Sequence, residues 1–153
     1  MTVSPIPEGY MSITPYLIVS GAARAIDFYR HVFGASEVMR MDRPDGRVGH
    51  AEMIVGNSRL MLADEVPDIG AHSPQTLGGS PVSLLLYVPD VNATVDRAVG
   101  AGAEITRPLK DQFYGDRTAS LRDPFGHLWT VATHIEDVAP AEMQRRAAAA
   151  GSS

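Results

Sequence analysis

The chain has 153 residues, of which 44% are hydrophobic, and it carries 13 Lys and Arg against 18 Asp and Glu. This length predicts one domain, or two half-domains that share a core, and a net charge of −5 without a basic cluster argues against nucleic acid as a partner. Because the chain has no cysteine, disulfides and thiolate catalysis are excluded, and any metal would need His, Asp or Glu ligands.

The first half of the chain predicts one β-α-β-β-β unit. An apolar run at 13–19 predicts a buried strand, and apolar residues at helical spacing over 21–35 predict an amphipathic helix that Gly34 caps. Three further strands are predicted at 36–41, 47–55 and 58–64. Before this unit, residues 1–12 are predicted to form an N-terminal extension, and they lack the charged and apolar regions of a signal peptide.

The second half repeats the same order of elements after a Gly-, Pro- and Ser-rich linker at 66–81. Asp90 is the predicted N-cap of the second helix. The elements predicted here are a strand at 82–88, a helix at 90–103, a strand at 104–108, a loop at 109–115 and a closing hairpin at 116–134. The tail at 136–153 is predicted to be a short Ala-rich helix with a disordered end.

This repetition predicts an α+β fold built from two β-α-β-β-β repeats, 13–65 and 82–135. We expect the repeats to form a half-open, mixed, barrel-like sheet with the helices on its convex side, so that the concave face can take a ligand. No run of about 18 apolar residues is present to span a bilayer, so we expect a cytoplasmic protein with no membrane partner.

Two motifs carry a family resemblance: "AIDFYRHVFGA" after the first strand and "LRDPFGHLWTVATH" at the end. In this order they resemble the vicinal oxygen chelate superfamily of glyoxalases, bleomycin-binding proteins, fosfomycin-resistance enzymes and extradiol dioxygenases. The segments "GHAEMIVGNSRLMLADE", "GGSPVSLLLYVPDV" and "DQFYGDR" are similar to the PhnB-like branch. The resemblance covers about 13–134 and implies a single glyoxalase-like domain at 13–135, a small-molecule ligand and a homodimer.

The resemblance also implies where metal ligands would lie, since metal-dependent relatives place His and Glu on the inner face of both repeats. Aligning the motifs puts the four positions at Thr14, Met61, Ser83 and Thr130, with Leu62 replacing Met61 if the register is shifted by one. None of these side chains is a usual ligand for a divalent ion. We therefore expect no cofactor, and the alternative is a divalent metal at a relocated site.

Strand alternation extends this inner face. A two-residue turn at Gly56-Asn57 predicts that Glu52 pairs with Met61, and a type I turn at 123–126 predicts that Ala119 pairs with Thr130. Trp129 is then expected in the core. The predicted pocket consists of Thr14, Tyr16, His50, Glu52, Met61, Ser83, Arg117 and Thr130.

His50 and Glu52 stand two residues apart on one strand and share a face. Glu52 can then hold the His50 imidazole and make it a general acid or base, and these two are the predicted catalytic residues. The alternative is a structural ion pair of Glu52 with Arg117 or Arg59.

Arg117 and Tyr114 are predicted ligand contacts near the closing hairpin. A guanidinium such as that of Arg117 binds carboxylate or phosphate in bidentate fashion, and the alternative is a salt bridge to Asp116 or Glu52. Tyr114 and its neighbour Phe113 can form a lid that stacks on a flat ligand, or they can anchor the loop.

Three functions follow from these observations. The first is a metal-independent protein that binds a small organic molecule, similar to the bleomycin-binding members. The second is a lyase, isomerase or dioxygenase-type enzyme with a relocated metal, or with His50 and Glu52 as acid and base. The third is a structural or regulatory partner of another protein. Fold analogy alone does not identify the ligand.

Overall fold

The computed structural model describes residues 2–151, and its strands form two four-stranded sheets. Contacts divide the chain into two compact units. The first unit comprises the residues up to Pro81 together with Pro124–His127. The second comprises Val82–Asp123 and the residues from Leu128 onward. Each unit holds one sheet and one main helix in the order β-α-β-β-β, as the repeated sequence pattern predicts.

The first sheet has the strand order β1-β4-β3-β2, in which β1 and β4 are parallel and the other neighbours antiparallel. A single 3-10 turn, Pro67–Ile69, and the short α2 follow the sheet in sequence. The elements are β1 (Tyr16–Val19), α1 (Ala22–Phe33), β2 (Ser36–Asp42), β3 (Val48–Val55), β4 (Ser58–Asp64) and α2 (Pro74–Leu77).

Helix α1 forms because its apolar residues recur at helical spacing and face the sheet. It ends at Gly34, whose φ of 68° lets the backbone N–H donate to the carbonyl oxygens of Arg30 and Tyr29. The opposing core is mainly apolar, since alternate residues of the strands point towards α1. The buried strand residues at these alternating positions include Leu17, Val19, Ala51, Met53, Val55, Leu60 and Leu62.

Asp64, the last residue of β4, ties together three backbone segments of the first unit. Its Oδ1 accepts the N–H of Gly21 at 2.8 Å and of Ala22 at 2.9 Å, at the start of α1. Its Oδ2 accepts the N–H of Val48 at 2.8 Å, at the start of β3. The side chain is buried, so these donors depend on the carboxylate.

The turn Pro124–His127 belongs to the first unit, although it connects two strands of the second sheet. Phe125 is buried against Phe28 and Tyr29, with ring centres 6.1 and 6.4 Å apart. His127 Nε2 donates to the Ile18 carbonyl oxygen at 2.9 Å. The turn therefore completes the aromatic core beside α1.

The second sheet has the order β5-β8-β7-β6, with β5 and β8 parallel. Asp90 caps α3 by accepting the Ala93 N–H at 3.1 Å, as predicted. The elements are β5 (Ser83–Tyr87), α3 (Val91–Gly100), β6 (Glu104–Asp111), β7 (Asp116–Arg122), β8 (Leu128–His134) and α4 (Pro140–Ala149).

The predicted register is confirmed in one hairpin and wrong in the other. Glu52 faces Met61 across β3 and β4, as the two-residue turn requires. In the closing hairpin Thr130 faces Ser120 instead of Ala119. The reason is that Arg122 pairs with Leu128, which leaves a five-residue turn in which His127 bonds to Ile18 instead of joining the ladder. A one-residue slip moves the side chains of β7 to the opposite face.

Two strand ends differ from prediction by three residues, and several others differ by one. β1 begins at Tyr16 instead of at residue 13, so Thr14 precedes the strand, next to Pro15, which has no N–H to donate. β6 continues to Asp111 instead of ending at 108, and its pairing with β7 contains two register shifts. The joining of both sheets into a half-open barrel stays a prediction.

The tail forms the predicted helix as α4. The expected disordered end falls mainly on Ser152 and Ser153, which lie outside the described residues. Over residues 2–151, none of the helices has the length and apolar character needed to cross a membrane.

Candidate functional site

Four polar side chains form a hydrogen-bonded row on the face of the first sheet opposite α1. Tyr16 Oη lies 2.8 Å from His50 Nδ1, and His50 Nε2 lies 2.8 Å from Glu52 Oε2. The other Glu52 oxygen, Oε1, accepts the hydroxyl of Tyr10. The prediction that Glu52 holds the His50 imidazole is confirmed, and we call these four residues the tyrosine–histidine–glutamate row.

The row fixes the histidine tautomer by its chemistry. An ionised carboxylate only accepts, so His50 Nε2–H donates to Glu52, and Nδ1 is left to accept the Tyr16 hydroxyl. Partial burial raises the pKa of Tyr16 above its ordinary value, which keeps the phenol protonated. The Tyr16 side chain is 46% exposed and forms the accessible end of the row.

The alternative ion pairs proposed for Glu52 are replaced by other contacts. The Arg59 guanidinium lies over the Tyr10 ring, 4.9 Å from its centre, and donates to the Gly9 carbonyl oxygen at 3.3 Å. Arg117 pairs with Asp111 at 2.6 Å. Tyr10, in the predicted extension, is the member of the row that strand alternation could not reveal.

The second unit carries a cleft of about 350 Å³ on the face of its sheet opposite α3. Ser83 and Thr130, both predicted ligand contacts, line it. Ser120 Oγ and Thr130 Oγ1 are 3.0 Å apart and share one hydrogen bond. The remaining lining residues are Thr106, Arg107, Leu121, Arg122, Leu128 and Trp129.

Arg117 does not lie with Thr130, and its predicted place in the pocket is wrong. It pairs in register with Thr133, on the side of the sheet that faces α3, and its Nη1 donates to Asn92 of that helix at 3.4 Å. The ion pair with Arg117 lowers the pKa of Asp111. The prediction misplaced Arg117 because the register of the closing hairpin is shifted by one residue.

Tyr114 is not among the residues that line the cleft. Its loop is held by the C-terminal segment: the Gly115 carbonyl oxygen accepts the N–H groups of Ile135 and Glu136, at 2.8 and 3.1 Å. Arg146 of α4 donates to the Phe113 carbonyl oxygen at 3.3 Å. These contacts favour loop anchoring, and a lid role for Tyr114 stays a prediction.

Sequence reasoning missed the two cleft arginines and a cluster around Asp116. The buried Asp116 carboxylate accepts from the Tyr87 hydroxyl and from His134 Nδ1, each at 2.7 Å. The hydrogen bond to Asp116 raises the pKa of Tyr87, and hydrogen bonds to Asp116 and Asp137 raise the pKa of His134. The sequence contained a signal for this cluster, because Asp116 and His134 are the two ends of the closing hairpin and therefore lie side by side.

The four positions that the resemblance assigns to metal ligands do not fit a divalent metal. Met61 offers a thioether, and Thr14, Ser83 and Thr130 offer neutral hydroxyls, whereas such ions prefer imidazole, thiolate and carboxylate. The part of the chain from 2 to 151 also contains no group of three or more His, Asp or Glu side chains placed to hold a metal.

A family model for the glyoxalase/bleomycin resistance protein/dioxygenase superfamily matches residues 11–131, which is most of the chain. The chain belongs to this superfamily. An uncharacterized protein of Mycobacterium bovis is 41% identical over 136 residues, a match that covers 87% of this chain and 90% of the relative. This relative is similar over most of its length, and its description identifies no ligand.

Solved structures share the fold. TioX from Micromonospora sp. ML1 superposes with a TM-score of 0.63 at 27% identity, covering 82% of this chain and 99% of TioX. A PhnB protein from Bacillus cereus superposes with a TM-score of 0.64 at 19% identity, covering 80% of this chain and 99% of that one. At that identity the second likeness is one of fold alone.

Proposed function

We propose that this superfamily member binds a small organic molecule in the 350 Å³ cleft of its second unit, without a metal ion. The observation that carries the proposal is the lining of that cleft. Its volume is in the range of small-molecule sites, about 300–1,000 Å³. Its lining is mostly polar, with four hydroxyl residues and two arginines beside the apolar Leu121, Leu128 and Trp129. Ser83 and Thr130 contribute hydroxyl groups there instead of metal ligands.

A thermal-shift screen of small organic molecules, followed by cleft-filling variants, tests this proposal. Compounds that raise the melting temperature of the natural protein are expected to lose their effect on Ser83→Phe, because the larger side chain occupies the cleft. Ser58→Phe, at an exposed position of β4 in the other unit, is the matched control and should keep the effect. Stabilisation that survives Ser83→Phe would rule out binding in this cleft.

The proposal also includes the absence of a bound metal, the PhnB-like branch and a homodimer. The neutral side chains at the four aligned positions support the absence of a metal. The family resemblance of the sequence motifs supports the PhnB-like branch and the homodimer. Elemental mass spectrometry of tag-free protein purified without chelator should find far less than one equivalent of zinc, nickel, manganese or iron. Stoichiometric metal would contradict the proposal. Light scattering after size exclusion tests the dimer.

A second function, proton transfer next to a carbonyl group, is favoured by the tyrosine–histidine–glutamate row of the first unit. The Tyr16 hydroxyl can turn from His50 Nδ1 and donate to a substrate oxygen, which leaves Nδ1 free to take up a proton while Glu52 stabilises the imidazolium that results. Tyr10 holds the second oxygen of Glu52, so the carboxylate keeps its orientation. This is the arrangement expected of a lyase or isomerase without a metal.

Exchange of carbon-bound hydrogen for deuterium in a panel of 2-oxo acids tests this second function. The natural protein should accelerate exchange, and His50→Ala or Glu52→Gln should reduce the rate by about a hundredfold, the contribution typical of an acid–base group. Tyr87→Phe, which removes a hydroxyl of the other unit, is the control. Exchange that persists in both row variants would eliminate His50 and Glu52 as catalytic residues.

A further inference from the structure

The cleft of the second unit is positively charged, although the protein as a whole carries a net charge of −5. Two arginines, Arg107 and Arg122, are among the residues that line it, and no Asp or Glu is among them. Arg107 lies opposite Ser120 in the register of β6 and β7, so its side chain belongs to the same face as Thr130. A ligand in the cleft therefore meets cations and not carboxylates.

The two arginines differ in how far they are already neutralised. Arg122 pairs with Glu104 at 3.1 Å, and both side chains are largely exposed. Arg107 makes no ion pair with any residue between 2 and 151. Its guanidinium keeps five N–H donors, in the planar arrangement that matches a carboxylate or phosphonate group. Arg107 is thus the stronger candidate for contact with an anion.

The hydroxyl groups of the cleft add donors beside this charge. The hydrogen bond between Ser120 and Thr130 uses one of their two protons, so the pair keeps one proton to donate. Ser83 and Thr106 supply further hydroxyls. Leu128, which shares a face with Thr130, supplies an apolar wall suited to a compact hydrocarbon or aromatic body, and Trp129 adjoins it.

We propose that the ligand of this cleft is a small organic anion, in which Arg107 binds a carboxylate or phosphonate head group and the apolar wall receives the body. The inference rests on the proposed small-molecule binding and specifies its chemical class. It assigns the anion-binding role to Arg107, with Arg122 as a second and weaker contact, in place of the Arg117 that the sequence suggested.

Trp129 provides the readout, since it is the chain's single tryptophan and lines the cleft. Titrations with benzoate, phenylphosphonate and the neutral benzamide are followed by Trp129 emission and confirmed by calorimetry. We expect each anion that binds to do so at least about tenfold more tightly than benzamide, since about 1.4 kcal/mol of charge-assisted bonding suffices for that ratio. The tighter of the two anions identifies the head group.

Arg107→Gln should remove this preference and leave benzamide binding unchanged. Arg30→Gln is the control with the same loss of charge, and Arg30 lies on α1 of the other unit, where it pairs with Asp27 at 3.8 Å. Equal affinity for benzoate, phenylphosphonate and benzamide would overturn the anion inference and leave small-molecule binding intact. The anion inference would also be overturned if Arg107→Gln and Arg30→Gln weakened anion binding equally. It would be overturned as well if neither anion bound.

Discussion

Replacing Asp64 with Ala should remove the side-chain hydrogen bonds that link the end of β4 to the start of α1 and to the start of β3. The substitution leaves three backbone N–H groups, those of Gly21, Ala22 and Val48, without their acceptor at a buried position. Each lost bond to a charged acceptor costs about 1–3 kcal/mol, and partial access of water favours the lower end. We expect Asp64→Ala to lower the free energy of unfolding by about 4 kcal/mol.

Urea denaturation followed by far-ultraviolet circular dichroism measures this loss. Asp64→Asn is a graded variant, because its carbonyl oxygen can still accept from Gly21 and Ala22 while its NH₂ group faces the Val48 donor. It should lose about half as much stability. Asp27→Ala removes an exposed carboxylate of α1 and should change stability by less than about 0.5 kcal/mol. A loss below about 1 kcal/mol for Asp64→Ala would refute this reasoning.

Two further predictions concern the second unit. The pKa of His134 is raised by its carboxylate partners, so the stabilisation that it provides is complete below pH 6.5 and decreases as pH rises through the higher pKa of the folded state. His134→Gln should flatten that decrease in urea titrations across pH 6–9. An unchanged dependence of stability on pH would contradict the assignment. Gly115→Ala should detach the C-terminal segment, because Gly115 has a φ of +101° and the new Cβ would lie 2.1 Å from the Glu136 carbonyl oxygen. Faster proteolysis between β8 and α4 would confirm this, and equal rates of proteolysis would refute it.

The first sheet was predictable because its signals are local. A Gly-Asn turn of two residues fixes the pairing on both sides, and alternation then places His50, Glu52 and Met61 on one face. The contact of Tyr10 with Glu52 spans 42 residues, and no periodicity connects the two. The sequence therefore predicted the strand residues of the row but not Tyr10.

The closing hairpin was harder to predict because its register is decided by a distant contact. His127 follows a turn sequence that suits either four or five residues, and its bond to Ile18 spans 109 residues. Arg107 escaped for a related reason, since register shifts on both sides of it set its face. Alternation does not predict such irregularities. The one-residue error in the closing hairpin placed Arg117 in the predicted pocket, and the irregular pairing of β6 concealed Arg107.

The turn at Pro124–His127 constrains the order in which the protein can mature during synthesis. Phe28 and Tyr29 are made early, but the Phe125 ring that covers them leaves the ribosome only after most of the chain has been translated. The nascent first repeat therefore waits with apolar rings unburied, a state in which such surfaces promote aggregation. A gene fragment that encodes the first repeat alone would lack this ring permanently.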